Sequence, residues 1–576
     1  MNKGGYLRRW LQCLPCVALL LFMYTLFGSV EVYLGNTKDF PMTLGEALLP
    51  LGLVFLAGTV IISLLVALSK GLLWRILTGL ISGAAFCSYL QNLCMNKNTG
   101  LLGDDEVDWS QYGNYGTTNL ILWIALLIAV VLLAASLKKN WGKVSALLCS
   151  GLLAMQAVAL AVVMFSVPSA DTNDSAKRYI LDGNNQYTVS AKKNTIVFVL
   201  DYFANTYYNN VIDEYPEAAD YFNDFTYYSN CDPVYIGTFP SMTHMLTGYE
   251  YDPSSRIDDW FNAAWNSESS EAFYKGLAEQ NTIMRVYTTY GKNLGLEFAG
   301  GKIENLIDGG LLDGSRIIDH PRLISKMLSL AAYRYFPHEF KQYFLAQIED
   351  FSPILSYSGL GDTNILNTYE YYDALNSRRL KADEKKSNLL IVQHLRGTHI
   401  PYELDSEVCL HPGASMEETG VANLKIVKEY IDQLKELGLY EDATIIITAD
   451  HGDKENNMQV IYFLKQPGEK HNKMQRNDAP ISHDDFPGTV LQLTGGRTTG
   501  YNFSTIFDFT EDDERERTVM VNTMDKNYPA VPKYGSFSTG THTAVIYYTY
   551  EGNLKDLRKQ IKRGPTKTVP LAESFN

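Results

Sequence analysis

Four short stretches of the 576-residue sequence carry side chains that can hold a metal ion or act on a phosphate or sulfate ester. In Thr444-Ile-Ile-Ile-Thr-Ala-Asp-His-Gly-Asp453 an apolar, β-branched run is followed by a carboxylate and an imidazole, Asp450 and His451. One hard oxygen ligand beside one borderline nitrogen suits a divalent cation. Lys193-Asn-Thr-Ile-Val-Phe-Val-Leu-Asp201 repeats the pattern, with buried-strand composition closed by Asp201. If the two strands are neighbours their carboxylates repel, and a cation between them removes the repulsion.

Tyr235-Ile-Gly-Thr-Phe-Pro-Ser-Met-Thr-His-Met-Leu-Thr-Gly248 reads as a helix with Pro240 in its first turn and a stop at Gly248, which puts Thr238 at the helix N-terminus. Free N–H groups and the positive dipole end stabilise an anion there, or a hydroxyl losing its proton. The same position equally suits a plain capping threonine. Ser387-Asn-Leu-Leu-Ile-Val-Gln-His394 is a third apolar strand, followed by Leu-Arg-Gly-Thr-His-Ile-Pro-Tyr402. A single histidine at such an exit is most often a satisfied loop residue. His394 and His399 around a glycine turn, with Arg396 between them, form a set of donors for a phosphate or sulfate.

Positioning these groups calls for an open α/β sheet, whose chemistry lies just beyond the carboxyl ends of its strands. Asn281–Thr288 and Val460–Leu464 add strands, and Glu417–Leu437 reads as an amphipathic helix covering the sheet. Asp484–Thr494 reads as a further helix, and Thr518–Thr523 and Thr543–Tyr550 as strands of a small C-terminal α+β subdomain. Residues 301–386 form an insertion of helical and aromatic character. The 38 tyrosines suit plain packing better than sugar stacking.

The first third has a different composition. Apolar runs at about 10–30, 47–69, 72–91, 119–137 and 144–167 reach or approach the roughly 20 residues that cross a bilayer as a helix. Lys3, Arg8, Arg9, Lys70, Arg75, Lys138, Lys139 and Lys143 flank one set of ends, and Glu31, Asp39, Asp104, Asp105, Glu106 and Asp108 the other. The positive-inside rule then places the N-terminus inside and residues 168–576 outside a plasma (cytoplasmic) membrane. The expected organisation is a five-helix transmembrane domain (1–167), a polar linker (168–193), a catalytic domain (194–510) and the α+β subdomain (511–576). Beyond residue 166 there are 39 Lys+Arg against 57 Asp+Glu, a balance that argues against nucleic acid as a partner. Only Cys231 and Cys409 lie outside the spans, enough for one disulfide and too few for a framework.

In order and type, Asp201 after a strand, Thr238 in Gly-Thr-Phe-Pro-Ser, Gly397-Thr-His-x-Pro-Tyr402 and Asp450-His-Gly452 resemble the alkaline phosphatase superfamily. The closest likeness is to its membrane-anchored, sulfatase-domain branch, the lipoteichoic acid synthases and phosphoethanolamine transferases, which also carry five N-terminal spans. The resemblance implies a sulfatase-like α/β domain with a central, mostly parallel sheet, and one divalent metal, Mn²⁺ or Zn²⁺, held by Asp201, Thr238, Asp450 and His451. Thr238 would be the nucleophile, with His399, and less directly His394, on the substrate phosphate. The expected reaction moves a phosphoglycerol or phosphoethanolamine-type group from a membrane phospholipid to a glycan or lipid acceptor outside the membrane, through a phospho-threonine. A hydrolase with water as acceptor, or a non-catalytic glycan- or partner-binding relative, is the alternative.

Three departures from the family pattern stand out. The metal acid is Asp201 where the family often has Glu. The histidine usual a dozen or so residues after Asp-His-Gly is missing, leaving His471 or His483 for that role. No Trp-x-Arg element lies between Thr238 and the third strand. Sulfatases mature a Cys or Ser in (Cys/Ser)-x-Pro-x-Arg; here the stretch is Thr238-Phe-Pro-Ser-Met242, which disfavours desulfation.

Overall fold

The computed structural model describes residues 3–575 except for 38–39, 97–111, 167–178, 289–290, 309–315, 345, 347–350, 352–353, 362, 364–367, 385–386, 454–457, 497–502, 524–541 and 551–565. The acidic loop at 104–108, Asp39, the start of the expected linker and the stretch just after Asp453 lie outside the described residues.

A seven-stranded sheet forms the centre of the α/β domain: β1 (Asn194–Leu200), β2 (Thr226–Tyr228), β3 (Thr282–Tyr287), β4 (Asn388–Leu395), β5 (Thr444–Thr448), β6 (Tyr462–Lys465) and β7 (Gln475–Asn477), in the order β7-β2-β6-β5-β1-β4-β3. The four strands β5-β1-β4-β3 run parallel. All of β1 and β5 is buried, which is why both read as unbroken apolar runs and not as alternating ones. β6 is antiparallel to β5 and to β2.

Register does the positioning. Thr448 of β5 lies beside Val199 of β1, and Val199 beside His394 of β4. Two residues further along the same direction, Asp450 and Asp201 therefore come abreast at one sheet edge. Helix α1 (Thr238–Thr247) starts at that edge, α2 (His320–Tyr335) belongs to the insertion, α3 (Met416–Glu436) covers the sheet, and α4 (Phe486–Leu493) packs near α1. A capping box between Ser415 and Glu418 starts α3, which buries Val421, Leu424, Val427 and Ile431. α4 is shorter than the expected 484–494, because His483–Asp485 forms a 3₁₀ turn with its own capping box from Ser482.

A second sheet joins Lys567–Phe575, His542–Tyr550 and Arg517–Thr523, and the short strand Tyr235–Ile236 pairs in parallel beside Arg517–Thr523. The segment leading into Thr238 is thus held by the C-terminal subdomain. The later half of the expected linker is pinned as well. Tyr179–Leu181 pairs with Leu306–Asp308, and Thr188–Ser190 with Lys381–Asp383. Such three-residue strands, with partners more than a hundred residues away, leave no periodic signal. Cys231 and Cys409 are both free thiols, one buried and one exposed.

Among the described residues, five helices are long and apolar enough to cross a membrane: Gly4–Gly35, Leu44–Leu68, Gly71–Met95, Gly113–Ser136 and Lys138–Phe165. Their outward side chains include Leu49 (70 % exposed) and Leu147 (74 %), apolar surface that a bilayer accommodates and water does not. The insertion docks on one end of this bundle. Leu323, Met327 and Leu330 of α2 share a core with Val32, Tyr33, Phe40, Met42 and Leu51, while Ala331 and Tyr335 pack with Met23 and Phe27. Polar contacts frame the apolar seam. Arg334 pairs with Glu31 at 3.2 Å and donates to Asn92 at 3.1 Å. Arg316 pairs with Glu46 at 2.9 Å, the Ser29 hydroxyl donates to the Met327 carbonyl at 3.1 Å, and the His338 N–H donates to Asn119 at 2.8 Å.

Gly28 is a close point of this seam, since a Cβ there would lie 2.6 Å from the Tyr335 ring and 3.0 Å from the Met23 carbonyl. Gly28→Val is expected to lower stability by about 1–3 kcal/mol through overpacking. Hydrogen exchange should rise along α2 and leave β1 and β5 unchanged.

Candidate active site

Asp201 and Asp450 reach the sheet edge fully buried, and His451 follows directly. One ligand atom from each of the three lies within 4.8 Å of the others. The His451 Nε2 is 3.7 Å from Asp201 Oδ1 and 3.6 Å from Asp450 Oδ2. Its Nδ1 sits 3.0 Å from the Gly452 carbonyl, a contact that places the proton on Nδ1 and turns the Nε2 lone pair toward the two carboxylates. Asp450 Oδ1 accepts from the backbone N–H groups of His451 (2.8 Å) and Tyr202 (3.2 Å). Asp450 Oδ2, which faces His451, is buried without a hydrogen-bond partner among the described residues.

The Thr238 side chain lies close enough to Asp450 to favour its charged form. Burial alone would raise the Asp450 pKa. The imidazoles of His451 and His394, the Thr238 hydroxyl and the Tyr202 N–H outweigh burial and hold it below the usual carboxylate range. The cap of α1 is Gly237, which makes no side-chain bond, so Thr238 is the first helical residue and its oxygen is not spent on capping. Ser241 adds a second tie, donating to the Asp450 carbonyl at 2.5 Å. Of the sequence-derived set, Asp201, Asp450 and His451 bring ligand atoms together, and Thr238 lies close to Asp450. Two carboxylates, an imidazole lone pair and a hydroxyl form a donor set that fits a divalent cation.

The loop after β4 folds back over this point. Gly397 has φ +58°, and a Cβ there would be 2.3 Å from the Asp201 carbonyl oxygen, so no other residue fits. The Thr398 N–H donates to that same carbonyl at 2.9 Å, and Asn423 of α3 donates to the Gly397 carbonyl at 2.7 Å. His399 is thereby brought edge-on to the Tyr202 ring, with 5.7 Å between centroids, and its Nδ1 meets the Ile400 carbonyl at 2.8 Å. Arg396 turns along the loop, its guanidinium donating to the Ile400 carbonyl at 2.9 Å. His394 is buried within electrostatic reach of Asp450, His451 and His399, and its Nδ1 lies 3.0 Å from the Thr288 hydroxyl. Burial pushes its pKa down to about 4, which keeps it neutral at pH 7.

Of the two candidates for the missing downstream histidine, His471 is engaged elsewhere, 2.9 Å from Glu469. His483 is fully buried, 3.3 Å from the Thr448 hydroxyl and within electrostatic reach of Asp450 and His451. Burial holds it neutral too, at about 4.

Two groups escaped the sequence reading. Tyr202, Tyr207 and Asp453 stand beside His451, and the one available signal was the acid that closes Asp-His-Gly-Asp453. His244 of α1 pairs with Asp484 at 3.0 Å, and its other nitrogen meets the Tyr249 carbonyl at 3.1 Å. No local pattern links positions 240 residues apart.

Residues 335–496, which include His394, Arg396, His399, Asp450 and His451, match the family model for sulfatases. Among solved structures, the chain is similar to the lipoteichoic acid synthase LtaP from Listeria monocytogenes, at 13 % identity over 65 % of this chain and 87 % of that one, with a TM-score of 0.35. A protein in the alkaline phosphatase superfamily from Vibrio parahaemolyticus matches at 11 % identity over 69 % and 85 %, with a TM-score of 0.37. The phosphonate monoester hydrolase SpPMH from Silicibacter pomeroyi matches at 11 % over 58 % and 80 %, with a TM-score of 0.32. No curated protein is significantly similar in sequence.

The His244–Asp484 pair ties α1 to the turn before α4 and carries a pH signature. Burial disfavours the imidazolium, but the Asp484 carboxylate outweighs it and raises the His244 pKa above 6.5. A raised folded-state value means stability that is fully present below pH 6.5 and lost as the pH rises through the folded value. The thermal midpoint is therefore expected to fall as the pH rises above about 6.5 in the wild type. It should change less over that range in Asp484→Asn, as read by circular dichroism.

Proposed function

From a sulfatase-like α/β domain docked on five apolar helices, we propose a metal-dependent phospho-transferase. It takes a phosphoglycerol or phosphoethanolamine-type group from a membrane phospholipid and passes it to a glycan or lipid acceptor. The observation that carries this reading is the Thr238 hydroxyl. Thr238 is the first residue of a helix and lies close to Asp450, beside the cluster of Asp201, Asp450 and His451.

Asp201, Asp450, His451 and Thr238 would hold the ion, Mn²⁺ or Zn²⁺ by ligand type. A divalent cation there supplies charge stabilisation for the threonine oxygen and for the phosphoryl oxygens. Thr238 Oγ1 attacks phosphorus, its proton passing to solvent. As the P–O bond to Thr238 forms, the bond to the lipid alcohol breaks. Thr238 sits at the start of α1, whose positive dipole end favours the developing negative charge. His399 protonates the departing lipid oxygen. In the second half, His399 takes the proton of an acceptor hydroxyl, which attacks the phospho-threonine and releases Thr238.

Charge supports the outward placement of the α/β domain. The span ends that meet α2 carry Glu31 and Glu46, and Lys70, Arg75, Lys138, Lys139 and Lys143 lie at the turns between spans at the opposite ends. The sulfatase match favours a second reading, hydrolysis with water in place of the acceptor, by the same first half-reaction.

Incubation with head-group-labelled phospholipid is expected to leave the label on Thr238 in intact-mass spectra. Thr238→Ala should abolish it and lower turnover by about three orders of magnitude or more. Rapid turnover of a soluble phosphodiester without any acceptor would instead establish the hydrolase. Asp201→Asn should purify folded with its metal content reduced at least about tenfold by elemental analysis, in line with loss of one charged ligand. A full metal complement in that variant would remove Asp201 from the site.

A further inference from the structure

Phe336-Pro-His-Glu-Phe-Lys-Gln-Tyr-Phe344 follows α2, and His338–Phe344 folds as a 3₁₀ helix. At three residues per turn, side chains three apart share a side, so the segment is a three-sided rod. One side carries His338, Lys341 and Phe344 and turns inward. His338 and Lys341 are buried, and the Lys341 amine donates to the Tyr333 carbonyl and, at 3.5 Å, to the Arg334 carbonyl, satisfying the last turn of α2. The His338 ring lies edge-on to Tyr112 and Tyr115, with 5.1 and 5.2 Å between centroids, at the start of the span Gly113–Ser136. Phe344 packs on Phe336 at 4.9 Å, and Phe336 meets Tyr24 of the first span at 5.6 Å. The second side carries Glu339 and Gln342, both exposed. The third carries Phe340 and Tyr343, which are 41 % and 74 % exposed.

We propose that Phe340 and Tyr343 form an interfacial foot, and that the occupant of this aromatic side is lipid, at the boundary between head groups and acyl chains of the bilayer that the five helices cross. The proposal rests on that membrane placement and is independent of the reaction at Thr238. Its inward side fixes the rod against the ends of the first and fourth spans, so the aromatic side is continuous with their lipid-facing surface. Ile121 and Leu122, both exposed, follow Tyr115 by only six and seven residues, about 9–10 Å along the helix axis. Hydrocarbon therefore begins within about two helical turns of the rod. Tyrosine suits that boundary, since its ring is apolar and its hydroxyl stays with the head groups. A short amphipathic segment at such a height lays its apolar side into the interface and leaves its polar side, here Glu339 and Gln342, to water. Two neighbouring exposed aromatic rings on a segment already locked to the bundle have no other apolar phase within that reach. The foot fixes the height and tilt of α2, and through α2 those of the insertion.

The test uses the full-length protein in vesicles of phosphatidylethanolamine and phosphatidylglycerol, with the exposed thiols Cys94 and Cys409 replaced by serine. A nitroxide is attached at Phe340→Cys, Tyr343→Cys, Gln342→Cys or Leu410→Cys, the last an exposed position on the α/β domain. Electron paramagnetic resonance then compares collisions with oxygen, which concentrates in lipid, and with a water-soluble nickel chelate. Labels at 340 and 343 are expected to sit about 5–10 Å below the head-group surface, and those at 342 and 410 to read as aqueous. Nickel access at 340 and 343 equal to that at 410 overturns the proposal. So does shielding of both positions from oxygen and nickel alike, which would mean that protein, a further segment or a second copy, covers the face. If a cysteine variant loses its thermal transition, Tyr343→Trp replaces it, being close in size and character. Its added fluorescence must be quenched by lipid brominated near the top of the acyl chains and spared by aqueous iodide, and the reverse pattern rejects the inference.

Discussion

Two buried carboxylates standing abreast constrain everything else at this site. Asp201 and Asp450 leave adjacent parallel strands at the same edge, and neither is exposed to water. Like charges so placed repel in a medium of low polarity and are tolerated only with a cation or a proton between them. Parallel pairing of β1 and β5 is what creates the conflict, because antiparallel strands would send the two acids to opposite edges. The neighbouring structure manages it. Backbone N–H groups from Tyr202 and His451 converge on one oxygen of Asp450, and Gly397 lets the β4 loop close directly over the Asp201 carbonyl.

A second constraint acts at larger scale. A catalytic domain on a loose tether would sample many heights above a membrane, whereas here α2 is built into the ends of the apolar helices. Its apolar stripe merges with the first two spans, and Arg334, Arg316 and His338 supply polar contacts where the helices end. The linker strands at 179–181 and 188–190 shorten the free tether further. If the donor is a bilayer lipid, such docking holds the site at a fixed reach from it, which raises effective concentration without any contact to the substrate. Support on the other flank is electrostatic, with His244 and Asp484 anchoring the helix that begins with Thr238.

Much of this was legible in the residues. Apolar run length announced the five membrane-length helices, and unbroken β-branched runs announced β1, β4 and β5 because those strands are covered on both faces. Asp201, Asp450 and His451 stood out because an acid or imidazole directly after such a run lies at the strand's carboxyl end by construction. Thr238 was ambiguous, since a helix start alone does not separate a cap from a nucleophile. The structure makes Gly237 the cap and brings Thr238 close to Asp450.

Local chemistry along the chain therefore determined which elements form and which of them end in reactive groups, because strand and helix periods are written within a dozen residues. Only the tertiary structure decided what meets what. The docking of α2, the placing of His483 rather than His471 near Asp450 and His451, and the contact of Arg517 with Asp232 all join segments far apart in sequence. Such pairings depend on register, crossover geometry and packing summed over the whole core, and no window of the sequence contains that sum.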